Sequence, residues 1–197
     1  LGVALAVGLF VLLPQLISSM IFGQTKSLWR SLVEGVLRVG IYIGYLFGCS
    51  CIKDMKRLFM YHGAEHKCIN CVEHGLPLTV ENVLKSSRLH KRCGTSFLFL
   101  VMLVSICLHF VFVLVPGYWV RLFGRLLMVP VVSGISFEII QWAGRTDTKF
   151  ADMMSKPGLA MQKLTTKEPT ADMAEVAIAA VEAVFDWREY LKEEFGW

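Results

Sequence analysis

The chain has 197 residues, 55% of them hydrophobic and 18% charged, with a mean hydropathy of +0.55. A soluble domain carries about a quarter charged residues; here the charges fall in blocks between long apolar runs, which excludes an ordinary soluble globule and indicates a polytopic membrane protein in a lipid bilayer. The net charge is only +4 and no Arg/Lys run interleaves with aromatics, so no nucleic acid partner is expected.

Four apolar runs follow in chain order: Leu1 to Phe22, roughly Val33 to Ile52, Ser96 to Val115, and about Leu122 to Trp142. Each is long enough to cross a bilayer as a helix. Pro14 falls inside the first and should kink it, and a Pro116-Gly117 turn separates the third from the fourth. The pattern predicts an all-α polytopic protein with about four transmembrane helices. It divides into 1–52 (first two membrane helices), 53–95 (a motif loop), 96–142 (third and fourth helices) and 143–197 (a tail). The chain opens at Leu1 inside an apolar run, so a longer protein with a further N-terminal region is expected.

Charge sets the orientation. The 53–95 loop holds Lys53, Lys56, Arg57, Lys67, Lys85, Arg88, Lys91 and Arg92, whereas the loop after the first helix has only Lys26 and Arg30, and the short turn after the third has none before Arg121 and Arg125. Basic residues stay on the cytoplasmic side. The loop and the tail should therefore face the cytoplasm and form a helical cap there. Tyr118, Trp119 and Trp142 suit interfacial positions. All six cysteines lie in helices or in this loop, where a reducing compartment argues against disulfides.

In the second apolar run, Gly40, Gly44 and Gly48 form a flat groove that allows close helix packing, within the chain or in a homo-oligomer; Glu34 and Arg38 can pair at i, i+4. In the tail, Pro157-Gly158 and Glu168-Pro169 bracket a polar connector containing Gln162, Thr165 and Thr166. Thr170 to Lys192 then reads as one helix, started by Asp172 and Glu175, with Val176, Ala177, Ala180, Val181, Val184 and Phe185 on its apolar face.

The chemistry concentrates in His62-Gly63-Ala64-Glu65-His66. On a helix His62 and His66 share a face and can grip one ion, while Glu65 can take a proton from bound water. This is the H-x-x-E-H pattern of inverted zinc peptidases. A catalytic zinc takes a third protein ligand, for which Glu73, His90, Cys93 and Glu138 are candidates. The competing readings are a polar helix with histidines bonded to the tail, and a structural Cys3His site from Cys68-x2-Cys71 and His90-x2-Cys93. Glu138 is an ionisable group at membrane depth, by default a functional candidate. His109 reads as a hydrogen-bonder within the bundle.

Tyr61-His-Gly-Ala-Glu-His-Lys67, Leu78-Thr-Val-Glu-Asn-Val83, Arg92-Cys-Gly-Thr-Ser-Phe-Leu98, Pro157-Gly-Leu159 and Gln162-Lys-Leu-Thr-Thr166 together closely resemble the YqhQ-like bacterial membrane proteins, a family of unknown function labelled as predicted metal-dependent enzymes. Many relatives have Thr where this chain has Cys68. The resemblance implies a bacterial cytoplasmic (inner) membrane protein. It places His62, Glu65, His66, His90, Arg92 and Cys93 in motif positions, with Lys67 and Arg92 as anion-holding charges and Thr79 capping a short helix. Two functions follow as expectations: a membrane hydrolase of peptide or lipid using Zn2+ or another divalent metal, with Glu65 as base, or a non-enzymatic oligomeric channel, transporter or scaffold with a structural cap.

Overall fold

A computed structural model describes residues 1–23, 28–113 and 118–197; Lys26 and the Pro116-Gly117 turn lie outside them, as do the side chains of His109, Tyr118, Trp119, Arg121 and Arg125. The described residues are helical, with no strands. In order they form α1 (Gly2–Val7), a π-helical turn (Gly8–Leu12), α2 (Leu13–Phe22), α3 (Leu28–Cys51), α4 (Lys53–Glu73), α5 (Val80–Lys85), α6 (Gly94–Val113), α7 (Tyr118–Arg145), α8 (Lys149–Thr165), α9 (Ala171–Glu182) and α10 (Trp187–Phe195). Two compact units result: Leu1–Leu46 with Gly94–Gly158, and Phe47–Cys93 with Leu159–Trp197.

The first unit carries the apolar helices. Three stretches are long and apolar enough to cross a membrane: Ala4–Phe22, Leu28–Cys51 and Leu127–Arg145. The remaining expected span forms α6, whose apolar described stretch, Gly94–Leu108, is shorter. Large side chains such as Leu5, Met20, Trp29, Val36 and Leu127 stand exposed along these helices, an arrangement suited to hydrocarbon rather than water. Proline lacks an N–H, and its ring clashes with the carbonyl one turn back. The wide π turn immediately before Pro14 makes room for that ring.

Glu34 and Arg38 pair as expected, at 3.3 Å. The glycine groove packs against nothing among the described residues of the chain itself. A Cβ on Gly40, Gly44 or Gly48 would meet nothing within 4 Å, because this stripe of α3 faces outward. The close helix approach occurs instead at Gly35, where a Cβ would lie 3.0 Å from Ile106 of α6.

The second unit is built by α4, α5, the last turns of α8, α9 and α10. Its core is Cys68, Cys71, Val72, Leu78, Val83, Ala174, Trp187 and Leu191. α5 starts at Thr79, whose hydroxyl accepts from the Asn82 N–H at 3.3 Å, as read from the sequence. The tail differs from its expected form in two ways. The polar connector is helical through Thr165, because buried Ala151, Gly158, Gln162 and Thr165 recur at helical spacing while Pro157 sits on the exposed side. The single helix expected over Thr170–Lys192 is also broken: Asp186 caps a new helix by accepting from the Arg188 and Glu189 N–H groups at 3.0 and 3.1 Å. That break lets Trp187 and Leu191 enter the core. Of the expected apolar face, Ala177 and Val181 pack against the core beside buried Met173 and Ala174, whereas Val176, Ala180, Val184 and Phe185 are exposed. Thr170, not Asp172, stands at the N-cap of α9.

Candidate metal centre

α4 is amphipathic around one buried face. Phe59, Gly63, Ala64, His66, Lys67 and Asn70 point inward along it, and the connector 166–170 crosses this face. The crossing is tight. A Cβ on Gly63 would lie 2.1 Å from the Lys167 carbonyl oxygen, and the Lys167 N–H donates to the Phe59 carbonyl at 2.8 Å. Gly63 is therefore what admits the connector against α4.

Three ligand-type side chains converge here. One donor atom each from His62, His66 and Cys93 lies within 4.8 Å of the other two, and this group could hold a metal ion. Cys93 Sγ is 3.5 Å from His62 Nε2. The first two ligands come from successive turns of α4, as the i, i+4 spacing predicts, and Cys93 is the residue just before α6.

The ring orientations are fixed by backbone. His62 Nδ1 donates to the Thr165 carbonyl at 2.9 Å, and His66 Nδ1 donates to the Arg88 carbonyl at 2.8 Å. A carbonyl oxygen only accepts, so in each neutral ring the proton resides on Nδ1 and the lone pair on Nε2. This outer support orients metal-binding imidazoles in general. The rings stand 4.4 Å apart, edge to face. The Cys93 sulfur beside Nε2 raises the His62 pKa above its ordinary value of 6.5; burial opposes this, and the Thr165 carbonyl adds to it. In a tetrahedral site with Zn–N near 2.0 Å and Zn–S near 2.3 Å, neighbouring donors stand roughly 3.3–3.6 Å apart. The His62–Cys93 separation of 3.5 Å falls in that range. Two neutral imidazoles and one thiol, preset in this way, fit a divalent ion of the borderline-soft kind.

The other candidate residues stand outside this group, the His90 ring centroid being 6.0 Å from that of His66. His90 Nε2 is 2.9 Å from Glu73 Oε2, and Arg92 pairs with the same carboxylate. Burial by itself would push the Glu73 carboxyl up, but the His90 hydrogen bond and the His90 and Arg92 charges hold it below its ordinary value. Lys67 is buried, with its ammonium on the Leu84 and Ser86 carbonyls at 2.8 and 2.7 Å and on Glu168 at 3.0 Å. Glu65 is exposed, on α4 beside the cluster but outside its ligand set. Glu138 is an exposed residue of α7 in the other unit.

The four-ligand Cys3His grouping does not form. Cys68 and Cys71 face the apolar core, away from Cys93 and His90. Burial pushes the Cys68 thiol up to about 12, with Cys71 and Glu65 adding to it. Cys71 Sγ instead donates toward the Leu76 and Pro77 carbonyls.

In the sequence Gln162 and Thr165 stand out only as members of a polar connector and of the Gln162-Lys-Leu-Thr-Thr166 family motif, with no role attached. Gln162, fully buried, clasps the His90 backbone from both sides: its Oε1 accepts from the His90 N–H at 2.9 Å and its Nε2 donates to the His90 carbonyl at 2.7 Å. The hint was a run of amide and hydroxyl side chains at helical spacing; nothing local indicates which backbone they serve.

The fold and cluster together define an all-helical protein with membrane-length helices and a His-His-Cys group able to hold a metal ion. The chain belongs to the family described as Protein of unknown function (DUF1385), which matches residues 1–187. It is similar to the uncharacterized protein YqhQ of Bacillus subtilis (strain 168), with 45% identity over 149 residues, 74% of this chain and 46% of that relative. The chain thus spans about half the length of the curated relative it matches. No solved structure matches it.

Proposed function

We propose that the protein is a membrane-anchored, metal-dependent hydrolase whose centre is His62, His66 and Cys93. The observation that carries this reading is the presetting of both imidazoles by backbone carbonyls around a neighbouring thiol. Catalytic zinc sites characteristically use three protein ligands and keep one position for water or substrate. A divalent ion held there supplies Lewis acidity and an acidified water. Glu65, exposed one position before His66, is the base that accepts the water proton. Peptide or lipid at the bilayer surface is the substrate class.

Charge supports a cytoplasmic placement. The 53–95 loop holds eight Lys and Arg residues, and loops rich in basic residues stay on the cytoplasmic side.

The experiment is metal analysis of purified protein beside His62→Ala, His66→Ala and Cys93→Ala. One equivalent in the wild type, lost in all three variants, is expected; Glu65→Gln should keep the metal and lose hydrolysis. A wild type without stoichiometric metal overturns the reading. The outward stripe of Gly40, Gly44 and Gly48, open to a close helix partner, favours a second reading as a homo-oligomeric channel, transporter or scaffold. Mass in mild detergent with ion flux in liposomes tests that reading, and a non-conducting monomer ends its channel form.

A further inference from the structure

Both histidine orienters trace back to one residue. Arg88 lends its main-chain carbonyl to His66 Nδ1. Its side chain reaches the connector after α8: Nη1 donates to the Thr166 carbonyl, and Nε pairs with Glu168 at 3.1 Å. The residue before Thr166 supplies the carbonyl that orients His62. The two carbonyls that set the two rings, those of Arg88 and Thr165, therefore belong to segments far apart in the chain, tied together by one guanidinium that reaches from Arg88 to Thr166, 78 positions on.

We propose that Arg88 is a positioning residue for the metal centre, coupling the 86–93 loop to the 165–168 connector so that the His62 and His66 rings are set together. The proposal rests on the metal-binding reading for its purpose, though the geometry it predicts is a property of the metal-free protein. The guanidinium suits this role because its planar fork presents donors in fixed directions, one to a carbonyl and one to a carboxylate. A lysine would supply a single ammonium on a flexible stem and could not hold both acceptors in the same geometry. Glu168 serves the same tie from the other side. Its carboxylate bridges Arg88 and the buried Lys67, fastening the connector to α4 as well as to the loop.

The test uses the full chain in detergent, with nitrogen-15 in its histidines, at a pH where both rings are neutral. In the metal-free wild type, His62 and His66 should each show the Nδ1-protonated tautomer. Arg88→Ala should shift His62 toward a tautomer mixture, because Thr165 loses its tether, with a smaller change at His66. Arg88→Lys should restore the signature only in part. In a cobalt or zinc titration, Arg88→Ala should bind about 10- to 100-fold more weakly, the range for loss of an outer-shell partner. Glu168 is exposed, so Glu168→Gln serves where Arg88→Ala fails to fold; it should show the same His62 shift at reduced size. Folded variants with wild-type tautomers and wild-type metal affinity overturn the proposal. If the wild type binds no metal, the function reading fails, and the tautomer measurement on metal-free protein still decides the positioning role.

Discussion

Replacing Gly63 by alanine sets two effects of opposite sign against each other. In an isolated helix, Gly→Ala is stabilising by roughly 0.5–1 kcal/mol, because alanine gives up less backbone entropy. In this fold the new methyl would lie 2.1 Å from the Lys167 carbonyl oxygen. An ordinary carbon–oxygen contact needs about 3.3 Å, so the connector must retreat by about 1.2 Å, and its backbone cannot rotate away as a flexible side chain could. Overpacking of this kind costs about 1–3 kcal/mol. The retreat also strains the Lys167-to-Phe59 bond and the Thr165 carbonyl on His62, each worth about 1 kcal/mol. The net expectation is a loss of about 2–4 kcal/mol in the second unit. Native-state amide exchange read on peptides from α4 should therefore accelerate roughly 30- to 1,000-fold. Unchanged or slower exchange would refute the account, since propensity alone predicts that result.

Three further outcomes follow from the site. Glu73 is held below its ordinary value, so its contribution to stability is present above pH 4.5 and is lost as pH falls through its folded value. Acid titration followed by exchange at residues 86–93 should show this loosening in the wild type and a flatter profile in Glu73→Gln; identical profiles count against the ion-pair account. The buried Cys68 thiol, pushed up to about 12, should resist alkylation near neutral pH in the folded protein. Cys68→Ala should keep full metal stoichiometry where Cys93→Ala loses it, and metal loss in Cys68→Ala would revive the four-ligand site. Lys67→Met removes the partner of the Leu84 and Ser86 carbonyls and of Glu168; a loss of about 2–4 kcal/mol is expected by denaturation of the second unit, and a neutral result would refute the account that the buried ammonium ties these segments to α4.

Much of the site was legible because it is local. His62 and His66 share a helix face by spacing alone, and nothing elsewhere in the chain is needed to align them. The Cys68-x2-Cys71 pair misled for the same local reason: its spacing suits a metal, but the same spacing on α4 also suits a buried apolar stripe. The core that Trp187 and Leu191 complete decides between the two. The tail misled because Asp186 is an ordinary polar residue until it caps a helix, and the break there brings Trp187 and Leu191 into the core.

What the sequence by itself determined is the class of the molecule: an all-helical chain with membrane-length apolar segments and a metal-type motif on one helix. Those properties come from periodicity and composition, which a chain carries before it folds. Which ligand-type side chain stands beside the two histidines, and what orients them, only the tertiary structure decided. Cys93 follows His62 by 31 positions and Thr165 follows it by 103. Such partners are chosen by how helices pack, here by how closely the connector can approach Gly63. A backbone carbonyl carries no residue-specific signal, so the groups that set both imidazoles are invisible until the chain is folded.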